Sequence, residues 1–363
     1  MVGNNEDFWN PNTYMWTERG YNQEYGAIYF GYENLWPQGG VNQAGLVFDG
    51  FAEDFLVISD TVGKPPLEND FIQEIMKHCA NVDQVKQYLK QYSLAGLERG
   101  MLFFVDKTGK YLIVEGDSLI LGNRQHYVLS NFYPSQTPDE STVPIPFYIK
   151  GRKLLENHSD TSISFCTALS DTMHQEKEWG GGTMYTTIYD LKEGIIYLYY
   201  FRDFNRVRKF NIKLELSKEN YTLFIPELFP ENEIAGAYLN NYNSIQESLE
   251  LLKTESTVRD TVLCSEITNN LLHQHNGLIS RFADVIFEAG NSWTLKNEYE
   301  LAVVVFKIGV ILIPDSWTGY AVLADAYMRT SQFDLALLNY EYAVHLNPDF
   351  VDGIKQVEML RGK

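Results

Sequence analysis

Thiols, imidazoles and carboxylates at short spacing are the groups most able to do chemistry, and each suggests a different reaction. The three cysteines, Cys79, Cys166 and Cys264, are odd in number, far apart and in no CxxC spacing. That supports neither a disulfide framework nor a thiolate zinc site. Cys79 falls on an apolar stripe with nothing basic beside it to lower its pKa, so it reads as core, and Cys166 reads the same way. His273-x-His275 has half of a metal-site spacing but no carboxylate or thiol to close it, which makes it a solvated polar face. Trp179-Gly180-Gly181-Gly182-Thr183 has the glycines of a phosphate cradle, yet a β-rich run follows it where a helix N-terminus would have to hold the anion. It reads as a flexible loop, a lid at a cleft. Arg202, Arg206, Arg208 and Lys209 form a basic patch expected to pair with nearby carboxylates, with binding of an acidic substrate group as the alternative. Gly39-Gly40-Val41-Asn42-Gln43-Ala44-Gly45 is turn chemistry: Gly39 and Gly40 permit positive φ, Asn42 bonds its own backbone, and Gly45 restarts a strand.

These residues sit in a chain of 363 residues with 45% hydrophobic and 21% charged content, enough to bury roughly two domains and too apolar for wholesale disorder. Lys+Arg 29 against Asp+Glu 48 gives a net charge of -19, which disfavours nucleic acid and anionic lipid as partners. No apolar run is long enough to span a membrane, and Met1 to Asp7 lacks the features of a signal peptide.

The composition changes near Asn240. Before it, β-rich runs at Tyr25–Tyr32, Gly45–Phe51, Leu102–Val105, Tyr111–Glu115, Tyr127–Ser130, Met184–Asp190, Ile195–Phe201 and Val207–Leu214 predict a sheet protein. Lys107 to Lys110 and Leu191 to Gly194 are spaced as hairpin turns, so neighbouring strands are antiparallel. Helical periodicity runs from Glu68 to Tyr92 with a break at Ala80-Asn81, and again near Ser159 to His174.

After Asn240 the pattern is helical, with a repeat of period 34. Trp293 pairs with Tyr327, Ala302 with Ala336, Phe306 with Tyr340, Gly309 with Ala343 and Pro314 with Pro348. These are the aromatic, small and terminating-proline positions of tetratricopeptide-like repeats, over about 283–314 and 317–348, with a closing helix from Asp349 to Lys363. Two repeats are few for a peptide-binding groove, so they are expected to pack on the sheet domain or on another subunit. The domains are therefore expected at 1–240 and 241–363.

Three pieces taken in order carry a resemblance. Val2-Gly3-Asn4-Asn5-Glu6-Asp7-Phe8, then Tyr25 to Gly31, then Trp36-Pro37-Gln38-Gly39-Gly40-Val41-Asn42-Gln43-Ala44-Gly45-Leu46 resemble the start of the choloylglycine hydrolase, penicillin V acylase and acyl-CoA:6-aminopenicillanic acid acyltransferase group of N-terminal nucleophile hydrolases. Phe103 to Lys110, Leu129 to Phe132 and Thr183 to Asp190 continue the likeness, which covers the first two thirds of the chain. It implies an α+β fold, a four-layer αββα sandwich here followed by the all-α repeat region. It also implies a linear amide hydrolase or acyltransferase needing no cofactor, whose substrate is a small-molecule or peptide-like amide. In such enzymes an N-terminal cysteine attacks the amide while the chain's own α-amine takes the thiol proton, the two groups having similar ordinary pKa values.

Carried over by residue, Asp7 takes the place of the family's aspartate beside the nucleophile. Asn4 stands where the family has an arginine, and Asn131 takes the place of a later asparagine that stabilises the oxyanion. The family's other asparagine would fall near Phe51-Ala52, and neither side chain can donate. The nucleophilic cysteine itself belongs upstream of Met1. Two expectations follow: the true start lies further upstream, with an export signal possible there, or the fold persists without catalysis as an interaction scaffold using the 283–348 helices for a protein partner or a homo-oligomer. On the first, the compartment is open, cytoplasmic as the sequence stands and periplasmic or exported if an upstream signal precedes it.

Overall fold

A computed structural model describes all residues except 60–62, 158–159, 177–180, 255–268, 270–282 and 363. It divides into two compact units, one of 1–175 with 182–235 and one of 176–181 with 236–363.

The first unit is built on two antiparallel sheets. Strands β1 (Val2–Phe8), β9 (Gly182–Asp190), β10 (Ile195–Tyr200) and β11 (Asp203–Asn211) form one in the order β1-β9-β10-β11. The other has eight strands in the order β12-β2-β3-β4-β5-β6-β7-β8: β12 (Thr222–Phe224), β2 (Thr13–Glu18), β3 (Ala27–Tyr32), β4 (Pro37–Asn42), β5 (Val47–Ala52), β6 (Gly100–Val105), β7 (Tyr111–Glu115) and β8 (Ser118–Gly122). Strand alternation gives the large sheet two apolar faces. One carries Tyr29, Phe48, Phe104, Leu112 and Val114 and meets Ile72, Ile75, Met76, Val82, Val85 and Leu89 of helices α1 (Phe71–His78) and α2 (Val82–Leu89). The opposite face carries Met101, Val105, Tyr111 and Ile113 and meets Val2 of β1, while Phe30 packs on Tyr185 and Tyr189 of β9 with ring centroids 5.9 and 6.4 Å apart. Helix α4 (Ile163–Met173) covers the outer face of the small sheet, against β1 and β9, and α3 (Pro146–Asn157) packs on it. The layers thus run α-β-β-α, as expected from the sequence.

Both hairpin turns are present, with Gly109 at φ +86° and Gly194 at φ +69°. Three expectations need correction. Gly39 and Gly40 are strand residues of β4, neither at positive φ; the turn is Asn42 to Gly45, and only Gly45 has φ +88°. Gly40 is glycine because a Cβ there would lie 2.6 Å from the Ile28 carbonyl oxygen and 3.0 Å from the Tyr29 and Phe48 rings. Tyr127–Ser130 forms no strand, and β8 takes the place beside β7; its apolar residues bridge two clusters, Tyr127 stacking on Tyr111 at 4.7 Å and Val128 packing with Tyr148 of α3. The run through Leu214 stops as a strand at Asn211, whose side chain accepts from Leu214 N–H and starts the short helix α5 (Ile212–Glu215).

In the second unit, α6 (Glu233–Thr254) begins near the boundary, and α7 (Ala283–Leu295), α8 (Tyr299–Leu312), α9 (Trp317–Arg329), α10 (Phe333–Leu346) and α11 (Val351–Arg361) follow, each packing on the next from α7 onward. The aromatic and small positions paired at period 34 are buried in both copies, Trp293 and Tyr327, Ala302 and Ala336, Phe306 and Tyr340, Gly309 and Ala343, while the prolines Pro314 and Pro348 are exposed. Gly290 shows why small residues recur, since a Cβ there would lie 2.2 Å from the Phe306 ring.

Candidate active site

Strand β1 carries polar residues on both faces. Gly3 and Asn5 turn to α4: the Asn5 amide donates to the Ser170 carbonyl at 2.9 Å and its Oδ1 accepts from Thr186 Oγ1 at 2.7 Å. Asn4 and Glu6 turn to the large sheet, where Glu6 accepts from Tyr32 Oη at 3.0 Å and is bonded by the Asn4 side chain. A register shift between Glu6 and Asp7 then breaks the alternation, and such bulges re-aim a side chain. The Asp7 carboxylate is held at the end of α4 and the start of β9, accepting from Gln175 Nε2 at 2.5 Å and from Thr183 Oγ1. Gln175 and Thr183 are clamped to each other, Thr183 N–H to Gln175 O and Gln175 N–H to Thr183 Oγ1, both 2.9 Å. Gly182 makes that approach possible, at φ +131° with a would-be Cβ 2.3 Å from the Gln175 carbonyl oxygen.

Across from β1, β5 presents Asp49, buried at 8% exposure. The segment after β8 brings Asn131 alongside the end of β5, where its amide donates to the Ala52 carbonyl at 2.9 Å. The place where the resemblance expected a second asparagine is therefore the place that Asn131 reaches. Asn4, Asp7, Asn131, Glu6 and Asp49 all line one cavity of about 750 Å³ inside the first unit. Apolar side chains, among them Phe51, Phe103, Phe147, Leu155, Leu169 and Met173, also line it, together with Arg124, His126 and Asp160. The lining offers both polar groups and apolar surface for a hydrophobic acyl group.

Electrostatics around Glu6 and Asp49 are unusual. Burial, with help from Asp7, pushes the Glu6 carboxyl up to about 7 against the stabilising bonds from Tyr32 and Asn4. Burial and the neighbouring Glu6 hold Asp49 well above the ordinary carboxylate range. Cys166 also lines this cavity and is half-buried, so it is not the sealed core thiol expected; α4 turns Phe165, Cys166, Leu169 and Met173 towards the space. Cys79 is core as read, its thiol pushed up to about 11 by burial.

Of the turn residues, none of Gly39, Gly40, Asn42 and Gly45 is among those that line the cavity. Asn42 faces the helix side: its amide donates to the Met76 and Cys79 carbonyls, both 2.8 Å, and its Oδ1 accepts from Ala44 and Leu46 N–H at 3.1 and 2.9 Å. In the basic patch, Arg206 pairs with Asp203, Arg208 with Glu231 at 2.7 Å, Arg202 donates to the Thr183 carbonyl and Lys209 lies over the Tyr197 ring. Gly182 and Thr183 open β9 and are no lid; 177–180, His273, His275 and Cys264 lie outside the described residues. Sequence reasoning missed Glu6, Asp49, Gln175 and Thr183. Asp49 carries a usable signal, an acid between apolar residues on the inward face of a strand, whereas Glu6 stands among the other polar residues of β1.

No protein-family model matches the chain, and no curated protein matches it. Among solved structures, it is similar to a variant of conjugated bile acid hydrolase from Clostridium perfringens, at 16% identity over 61% of this chain and 92% of that one, with a TM-score of 0.49. Penicillin V acylase from Agrobacterium tumefaciens is similar at 16% identity over 61% of this chain and 86% of that one, with a TM-score of 0.48.

Proposed function

We propose that the first unit hydrolyses or transfers the acyl group of a linear amide, through a cysteine at a free N-terminus that is carried on a strand outside the sequence given. The observation that carries this reading is that Asp7 and Asn131, matched to the family on sequence alone, line the same cavity. Strand β1 supports it, because it is an edge strand whose outer side has no strand among the described residues, leaving ladder groups for another strand to pair. In this reading the cysteine thiol adds to the amide carbonyl and its proton passes to the α-amine. Asp7, pinned by Gln175 and Thr183, orients that amine. Asn131 donates to the oxyanion. The C–N bond breaks with the proton delivered to the leaving nitrogen, and water or an amine resolves the thioester. Asn4, where the family by resemblance carries an arginine, is neutral and bonds Glu6. The catalytic part would be 1–240, and 241–363 would serve assembly through its two tetratricopeptide-like pairs.

The test is cleavage of penicillin V and of a glycine-conjugated bile salt, read as released amine, by a chain extended upstream to begin at a cysteine and by the same chain with alanine there. Release by the first form alone is expected. Equal release by both, or none by either across a panel of acyl amides, overturns the reading.

A second reading has its own support. Leu335, Leu338 and Tyr342 share one face of α10 and are 40, 60 and 44% exposed, the kind of apolar patch that marks a protein contact. If that face joins two copies, Leu338→Glu will lower the sedimenting mass, and an unchanged mass would exclude it.

A further inference from the structure

Asp49 Oδ1, on the lining of the cavity, is buried without a hydrogen-bond partner among the described residues. A buried polar atom left unpaired in a folded protein is a cost that calls for an explanation, a bound group being one. Asp49 comes from β5 and Glu6 from β1, so two facing sheets each contribute one carboxyl to one space. The titratable groups that face the pair are Asp7 on β1, Tyr32 on β3, and Tyr185 and Tyr189 on β9. All are acids. Among the described residues no lysine or arginine pairs with either carboxyl, while Asn4 and Tyr32 bond Glu6 and the Gly50 N–H bonds Asp49.

We propose that Glu6 and Asp49 form a subsite for a protonated amine, so that the substrate of this cavity carries both an ammonium group and an apolar group. An ammonium has three donors and one positive charge. It can satisfy Asp49 Oδ1 and the Glu6 carboxylate together and remove the repulsion that keeps them from ionising side by side. The raised proton affinity of both carboxyls is what an empty cation site would show, and binding should therefore release protons. The proposal rests on the reading of this cavity as a substrate site but not on the identity of the nucleophile, because binding can be measured on the present chain.

The experiment is calorimetric titration of the full chain with benzylamine, benzyl alcohol and sodium chloride at pH 7, in two buffers of different ionisation enthalpy. Benzylamine is expected to bind at least tenfold more tightly than benzyl alcohol, with proton release, and to weaken at least tenfold in Asp49→Asn and in Glu6→Gln. Benzyl alcohol affinity should change less than twofold in both variants. Equal binding of amine and alcohol, retention of amine affinity in Asp49→Asn, or displacement of benzylamine by sodium at equal concentration would overturn it. If Asp49→Asn fails to fold, Glu6→Gln together with proton release by the unaltered chain decides the matter. Absence of amidase activity in a cysteine-bearing form would leave these binding results standing, so the two claims fail separately.

Discussion

The two faces of the β4–β5 hairpin hold buried polar side chains under opposite conditions. On the helix side Asn42 spends both amide hydrogens and its oxygen on four backbone groups, tying the turn to the end of α1. On the cavity side, seven residues on, Asp49 is also buried, though less completely, and leaves Oδ1 unpaired. A satisfied buried polar group specifies a fold, whereas an unsatisfied one is a cost that folding alone does not explain. Unpaired buried atoms also occur away from the cavity, at Tyr29 and Gln356 for example, so it is the place of Asp49 on the cavity lining together with its unpaired oxygen that marks it as a site residue.

That contrast makes opposite predictions for the two positions. Asn42→Ala strands two carbonyls and two N–H groups in the interior, and is expected to lose about 3 kcal/mol or more in denaturant unfolding; a loss below about 1 kcal/mol would break the comparison. Gly182→Ala forces a side chain into the Gln175 carbonyl at a positive φ, at a cost of about 1–3 kcal/mol, and should loosen the clamp on Asp7, visible as faster amide exchange in β1 and the start of β9.

The cavity carboxyls should behave in the reverse sense. With a folded pKa raised to about 7 from 4.5, Glu6 contributes stability that is complete below about pH 4.5 and is lost as pH rises through 7. Glu6→Gln is therefore expected to match the unaltered protein at pH 4 and exceed it at pH 8, by up to about 3 kcal/mol for a shift of this size. Asp49→Asn should move the same way, because its carboxyl is also raised. A flat pH response in the unaltered chain would contradict both. The smallest effect is in labelling: Cys166, half-buried on the cavity, should react with iodoacetamide before Cys79, and a hydrophobic amine in the cavity should slow it.

Much of the frame was readable from the chain because its signals are local. The apolar stripe from Phe71 to Leu89 and the glycines at 109 and 194 each act within a few residues, so α1, α2 and two hairpins were legible. Gly39 and Gly40 were misread because glycine serves two purposes, positive φ and close packing, and only the neighbours Ile28, Tyr29 and Phe48 decide which. Tyr127 to Ser130 has strand composition, but whether a strand forms depends on an edge that β8 had already taken. For the site, resemblance placed Asp7 and Asn131, and both line the cavity. Glu6, Asp49, Gln175 and Thr183 come together from β1, β5, the end of α4 and β9, and no spacing in sequence encodes that meeting.

The central claim is that this cavity handles an acyl group through a thiol on a strand beside β1. Intact-mass spectrometry of the cysteine-initiated chain, quenched during reaction with penicillin V or a conjugated bile salt, tests it most directly. The account predicts a covalent acyl adduct confined to the N-terminal peptide and lost on alkylating that cysteine beforehand. An adduct on Cys166 instead, or steady amine release with no N-terminal adduct and no effect of alkylation, would contradict it.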